Sequence, residues 1–423
     1  MNARPGSFGR FVADADAAGN LVVQPRMGFC APHHMRTGLA LTKAAAATTA
    51  GTLTIDSYTR VGDLAAARTA LGEGAPLNGY PIAAHPAACT RALLDGVVDD
   101  TFPVQVRHGS SHPEPIIRAL SAAGLDATEG GPVSYCLPYG RTPLDVSVDN
   151  WSRGCELLAS LMPDGRIAHV ESFGGCMLGQ MCPPALLVAL SLLEGLYFTQ
   201  HGIRSVSLSY AQQTDTAQDE EAVRALRRLA AEFLPPDVDW HVVLYTYMGV
   251  YPASEAGARE LLSASARLAV RAEAQRLIVK TAAEAHRIPT IEENVRALQT
   301  AARAASTARP AAIAPGGSKG TGDEYTQART LIEATLELSP DTGRALRAAF
   351  ARGHLDVPYC LHPDNAGRSR SFIDSTGRLR WSATGAMPVP PAPTSAGRTS
   401  VSARELLDAV HYVARRYDAA PAD

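Results

Sequence analysis

The chain has 423 residues, 46% of them hydrophobic and 19% charged, with a formal net charge of −3 at pH 7. That length suffices for one large (β/α) unit with additions or for two to three ordinary domains, and the composition is that of a globular protein with an ample core. A mildly acidic balance, with no basic run interleaved with aromatics, excludes a nucleic-acid footprint.

The start, MNARPGSFGRFVADAD, lacks the apolar stretch of a signal peptide. The most apolar segment, ALLVALSLL before Glu194, is too short to span a bilayer and predicts a buried helix. Seven cysteines without a CxxC pair resemble neither a disulfide framework nor a zinc site. A reducing cytoplasm fits this usage.

Short apolar runs alternate with helical stretches, the pattern of an α/β fold with a parallel sheet. Candidate strands are 21–26, 52–58, 80–84, 103–107, 126–129, 167–171, 205–209, 241–246 and 276–280. Helical periodicity covers 38–49, 62–71, 86–97, 113–123, 144–161, 184–201, 217–234 and 255–274. The spacing fits repeated βα units, hence a (β/α)8 TIM barrel over residues 1–305. Nine candidates exceed by one the eight strands a barrel needs, and the surplus one is expected at DATEGG or at the first run.

Residues 306–423 are expected to form a C-terminal helical and irregular extension packed on the barrel. Within it, 307–323 reads as an exposed loop, and its GGSKGTG lacks the preceding strand and residue order of a phosphate loop. One long helix or a helix pair follows at 324–352, a proline-rich connection at 383–399 and an amphipathic helix at 402–417.

Three arginines stand where strands should end: Arg26, Arg60 and Arg107. In a parallel barrel such positions face one mouth. Guanidiniums there suit a small molecule with more than one carboxylate, because each fork grips a carboxylate in bidentate fashion. Three scattered surface arginines would look the same in a chain this rich in arginine. Of 39 basic residues only Lys43, Lys280 and Lys319 are lysine. Lys280, at the end of RLIVK, is therefore a candidate for a task that needs a compact point donor.

The stretch 105–141 is the densest in chemistry. Arg107 and His108 end one strand, Glu129 ends the next before two glycines, and Tyr135 and Tyr139 flank Pro138. A carboxylate beside cations can pair with a substrate ammonium and move its proton. The glycines allow close backbone approach to a ligand, and the tyrosine hydroxyls can complete its hydrogen bonding. An ion pair with two packed tyrosines explains the same residues. Adjacent His33 and His34, and His108 with His112, match no metal motif, so no metal site is expected. Lys280 and Glu284 together offer an ammonium and a carboxylate to a polyhydroxylated ligand, or simply to each other.

QPRMG, DSYTR, LNGYP, VRHG, EGGPVSY, LPY, MGVYP and IVKTAAEAHRIPT occur in this order. That series resembles the epsilon subunit of coenzyme-B12-dependent glutamate mutase, also called methylaspartate mutase, over about residues 20–295. The resemblance implies a barrel that binds the adenosyl half of adenosylcobalamin at its mouth, the coenzyme being shared with a partner subunit. It implies an arginine claw of Arg26, Arg60 and Arg107 on the substrate carboxylates, with His108 beside it. Glu129 would hold the substrate amino group and relay its proton, with Tyr135 and Tyr139 lining the same pocket. Gly28, Asn78, Pro138, Tyr251, Lys280, Glu284 and Ile288 would meet the coenzyme. Tyr251 stands where the family pattern has Phe, and the spacing before Asn78 differs.

The implied reaction is an isomerisation of L-glutamate to L-threo-3-methylaspartate through radicals. A DxHxxG motif is missing: His241 follows Asp239, but Leu244 takes the glycine position. The resemblance thus implies a small cobalamin-binding partner carrying that motif, with a homodimer of this chain inside a heterotetramer. A mutase for a substituted glutamate, or a Schiff-base lyase or aldolase using Lys280, remains open.

Overall fold

A computed structural model describes residues 8–138, 140–162, 165–177, 181–310, 322–392 and 402–419. Tyr139, Lys319, residues 311–321 of the expected loop and residues 393–399 of the proline-rich connection lie outside the described residues.

Eight strands pair in parallel: β1 (Val22–Pro25), β2 (Gly51–Thr54), β3 (Val104–Arg107), β4 (Ala127–Gly130), β5 (His169–Ser172), β6 (Ser205–Ala211), β7 (Asp239–Tyr245) and β8 (Arg276–Val279). Neighbours follow chain order from β2 to β8, and β8 returns beside β1. The two sheet ends meet through Ala50 N–H to the Val23 carbonyl at 3.3 Å and Thr54 N–H to the Met27 carbonyl at 2.9 Å. The architecture is the expected (β/α)8 barrel, nearly closed.

Both runs held to be dispensable, 21–26 and 126–129, contain barrel strands, β1 and β4. The surplus is 80–84. There only Tyr80 bridges to Ile55. Pro81 has no N–H to offer a ladder, and the N–H groups of Ala84 and His85 turn back onto its carbonyl.

Helix limits follow local capping. Ser57–Val61 ends at Gly62, whose φ of 81° is the left-handed stop that glycine supplies, and Asp63 then caps Leu64–Gly72. Pro32 starts the helix Pro32–Lys43 earlier than the apolar period suggests. Helix Pro184–Gln200 carries the ALLVALSLL run and is buried almost throughout. Its outer side is covered by a helix pair, Asp323–Leu336 and Thr342–Arg352, so its apolar residues need no membrane. Among the described residues no helix is long and apolar enough to cross one.

Three elements were not expected. An antiparallel hairpin, β9 (Arg370–Ile373) with β10 (Leu379–Ala383), interrupts the C-terminal helices. The single helix expected at 402–417 is two, Ala403–Val410 and Tyr412–Asp418, meeting at His411. At the other end, helix Phe8–Ala17 closes the floor of the barrel. Phe8 is fully buried, lies 5.0 Å from the His169 ring, and has the Arg276 guanidinium 4.9 Å from its centroid.

The barrel interior is polar where aliphatic layers are usual. Arg276, fully buried at the start of β8, donates to Ser207 at 2.9 Å, to Gln24 and to Glu171, and its Nε reaches His241 at 3.2 Å. Gln24 in turn donates to Thr52 at 2.9 Å and to Gln105 at 3.1 Å. Seven strands are tied by these bonds alone.

Candidate functional site

Strand register delivers the site. β3, β4, β5 and β7 end on Arg107, Glu129–Gly130, Glu171–Ser172 and Tyr245, so their last side chains converge where the barrel opens. A cleft of about 260 Å³ lies there. Arg26, Arg60, Arg107, His108, Glu129, Tyr135 and Asn78 all line it. The three arginines inferred from strand ends therefore do share one mouth, although they are not equivalent.

Arg107 is buried, 4% exposed. It is ion-paired with Glu129, lies 3.4 Å from Glu171, and donates to the Tyr245 hydroxyl at 2.7 Å. Burial opposes its charge, but Glu129, Tyr245 and Glu171 more than offset this and hold it firmly protonated. Arg60 is exposed on Ser57–Val61, the helix that Asp56 caps, and its stem lies across Gly109. Arg26 is half-buried and ion-paired with Glu284 at 2.8 Å. The claw thus has one sunk, rigid member and two at the rim.

Glu129 is 3% exposed. Its Oε2 accepts from Tyr245 at 3.0 Å, and Tyr135 also hydrogen-bonds it. Burial raises its pKa, Arg107 pulls it back and Glu171 pushes it up again, leaving it at about 7. A carboxyl in that range can both take and return a proton near neutrality. Glu171 goes the other way. Its burial is outweighed first by Arg276 and then by Arg107, which keep it ionised.

His108 stacks on Trp151 with centroids 5.7 Å apart and planes 6° apart. Its Nδ1 accepts from Ser110 N–H at 3.2 Å, and its Nε2 is buried with no partner among the described residues. Burial and then Arg107 lower its pKa to about 3. It is a neutral ring with a polar atom to offer the cleft.

The two glycines after Glu129 serve the scaffold as well. Gly130 and Gly131 have φ of 146° and 156°, and a Cβ would strike Trp151 at 2.3 Å and the Glu194 carboxyl at 2.1 Å. What approaches these backbones is protein. Glu194, fully buried, accepts from Val133 N–H, Ser134 N–H and the Ser134 and Ser172 hydroxyls. These bonds fix the turn that presents Tyr135.

The residues assigned to the coenzyme end lie in the segments that follow β1, β2, β4, β7 and β8. Lys280 is 9% exposed with Nζ 4.3 Å from the Tyr251 ring centroid. Burial lowers its pKa to about 8 against the pull of Glu284. Glu284 closes a capping box with Thr281, accepting from its N–H at 2.9 Å. Gly28 admits no side chain, since a Cβ would meet the Thr54 carbonyl oxygen at 2.1 Å. Asn78 accepts from Ser57 N–H at 2.9 Å, Ile288 is 55% exposed, and Pro138 is half-buried. His33, His34 and His112 are exposed and apart from the cleft, and no metal-holding cluster occurs among the described residues.

Sequence reasoning missed Glu171, Tyr245 and Arg276, which touch or support the same groups. A signal was present: the runs 167–171 and 241–246 end in Glu171 and Tyr245–Thr246, as 103–107 ends in Arg107. Arg276 gave none, because it opens its strand.

The Methylaspartate mutase E chain (MutE) family profile matches residues 4–410. The chain is 32% identical over 344 residues to a Halobacterium salinarum protein named glutamate mutase epsilon subunit, covering 79% of this chain and 71% of that one. A namesake from Desulfitobacterium hafniense is 30% identical, covering 89% and 80%, and one from Escherichia coli O157:H7 is 29% identical, covering 86% and 75%. Among solved structures, a tryptophan synthase alpha subunit from Legionella pneumophila aligns with a TM-score of 0.39 at 13% identity, over 70% of this chain and 97% of that one. With its barrel, its arginine-lined cleft and a profile match over nearly its whole length, the chain belongs to the methylaspartate mutase E chain family.

Proposed function

We propose that this chain is the substrate-binding subunit of an adenosylcobalamin-dependent isomerase interconverting L-glutamate and L-threo-3-methylaspartate. The observation that carries the reading is the convergence of Arg26, Arg60, Arg107 and Glu129 on one cleft in a member of this mutase family.

Arg107, held rigidly, fixes one carboxylate, and the rim arginines Arg26 and Arg60 meet the other. Glu129 takes the substrate ammonium and exchanges a proton with it. His108 offers Nε2, and Tyr135 completes the wall. A migrating fragment must recombine in place, so the work of these groups is positioning more than acid–base power.

Adenosylcobalamin, when bound, supplies the radical that abstracts hydrogen from the substrate. Two features suit its nucleoside half: the Lys280 ammonium rests on the Tyr251 ring, and Asn78 lines the cleft. Lys280, Glu284, Tyr251, Asn78, Gly28, Pro138 and Ile288 would hold it. Lys280 is not among the side chains lining the cleft, which favours this reading over a Schiff base on Lys280. The cobalt side would come from a small partner carrying DxHxxG, in a heterotetramer built on a dimer of this chain.

The test is reconstitution. The purified chain, a DxHxxG-bearing subunit and adenosylcobalamin should together turn over L-glutamate, and omission of any one should abolish it. No rearrangement of glutamate or 3-methylaspartate by the complete mixture would overturn the assignment, and full activity without a partner would overturn the two-component reading.

A further inference from the structure

The Tyr245 hydroxyl occupies a position with more claims on it than it can meet. It accepts from Arg107 at 2.7 Å, lies 3.0 Å from Glu129 Oε2, and is closer still to Glu171 Oε1. A phenol has one proton to donate. Two carboxyl groups on β4 and β5 therefore compete for it, and both also share Arg107. Behind them Arg276 pairs with Glu171 from the barrel floor. The Arg107 guanidinium is thus gripped on its inner side by Glu171 and by the Tyr245 oxygen, and its centre sits 5.1 Å from the Tyr245 ring.

We propose that Tyr245 and Glu171 are positioning residues of this site: they hold Arg107 from behind and divide one hydroxyl proton between Glu171 and Glu129, and so set how readily Glu129 exchanges its own. The inference rests on the substrate reading above, and it concerns two residues to which that reading gives no part. Neither lines the cleft; both act through Arg107 and Glu129.

Every ionisable group against Glu129 enters the argument. Arg107 comes from β3, Tyr135 from the turn after β4, Glu171 from β5 and Tyr245 from β7, with Cys176 just beyond β5. The two proposed residues push Glu129 in opposite directions. The Tyr245 hydrogen bond favours its ionised form, while the Glu171 charge disfavours it. Removing each should therefore move Glu129 oppositely, and loss of packing alone would not do that.

The experiment compares the parent with Tyr245→Phe and Glu171→Gln. Tyr245→Phe keeps the ring and removes the hydroxyl. In the complete enzyme the acid limb of kcat/KM should move to higher pH in Tyr245→Phe and to lower pH in Glu171→Gln, each by about half a pH unit or more, the scale on which one neighbouring group moves a buried carboxyl. If Glu171→Gln does not fold, Glu171→Asp, which draws the charge back by one methylene, should give the same downward direction with a smaller size.

A second readout needs no substrate. Infrared difference spectra of the chain alone, each protein against its Glu129→Gln counterpart, isolate the protonated Glu129 carboxyl, and titration of that band should show the same opposed shifts. Shifts in one direction only, or none, would overturn the proposal. Infrared shifts as expected, in a complex that rearranges no amino dicarboxylate, would uphold the network and sink the substrate reading alone.

Discussion

Arg26 just after β1 and Glu284 just beyond β8 form an ion pair of 2.8 Å above the paired strands β1 and β8. The pair joins the substrate end of the proposed site to its coenzyme end. Both partners keep some contact with solvent, so the bond itself should stabilise the fold by no more than about 1 kcal/mol. Glu284→Gln retains an oxygen for Thr281 N–H but releases Arg26. We expect a near-native melting temperature, an unchanged or lower apparent KM for the dicarboxylate, and a coenzyme KM raised roughly tenfold, the loss of about one charge-assisted hydrogen bond. Equal increases in both constants would show that the pair does not divide the two ends.

Arg107→Lys keeps a charge and loses the fork. Because Arg107 serves Glu129, Glu171 and Tyr245 at once, the change cannot be purely kinetic. Loss of a charge-assisted hydrogen bond costs about 1.5–3 kcal/mol, so kcat/KM should fall roughly ten- to a hundredfold. Two buried carboxylates left underpaired should lower the melting temperature as well. Steady-state kinetics normalised to folded protein separate the two effects; normal kinetics per folded molecule would remove Arg107 from the site.

Much of this was legible in the residues. An arginine ending a β-branched run needs only the parallel-barrel rule to be placed at the mouth, and Arg107 and Glu129 were found that way. What stayed hidden depended on pairings across the barrel. Arg276 opens β8, on the floor side, yet its guanidinium reaches Glu171 on β5, a contact between residues 105 positions apart. Periodicity says nothing of such reach. Run 80–84 looked like a strand because Tyr and Ile favour one, while Pro81 and the turn around it decided otherwise. The hairpin β9–β10 escaped notice because its strands are short and carry charged residues, Arg370 and Arg380.

Lys280 is a buried ammonium whose pKa is lowered to about 8 by burial. Below that pH the folded chain holds a charge it disfavours, and stability should rise as pH climbs from about 8 towards the ordinary lysine range. Lys280→Met should therefore stabilise the fold at pH 7, by about 1 kcal/mol after the lost contact with Tyr251 is set against the relieved burial, while destroying coenzyme use. Lys280→Arg should also impair coenzyme use, because a planar fork cannot replace a point donor over the Tyr251 ring. Unchanged coenzyme affinity in both variants would refute the role.

Three more buried carboxyls, Glu194 and Glu324 at about 7 and Asp219 at about 8, are raised chiefly by burial. Each stabilises the fold fully below the ordinary carboxylate range and loses that contribution as pH rises through 7 to 8. His108 and His169, lowered to about 3 by burial, act oppositely: their contribution is complete above about 6.5 and fades as pH falls towards 3. Between about pH 4.5 and 6.5 the two sets oppose each other; below that window the histidine loss stands alone and above it the carboxyl loss does, so stability should decline on both sides. Between pH 6.5 and 8.5 Glu194 alone should account for about 1 kcal/mol of the decline, so Glu194→Gln should show a visibly flatter alkaline slope in chemical denaturation. An unaltered slope would mean that Glu194 is ionised throughout.

Phe8 sits beneath this chemistry, packed under His169 and Arg276. It makes the barrel a cup, stoppered at one end. A molecule lodged against Arg107 and Glu129 has one way in and the same way out, past the rim arginines Arg26 and Arg60. Traffic through the site is therefore ordered by depth: whatever reaches the bottom first leaves last, and anything resting on the rim seals what lies below it.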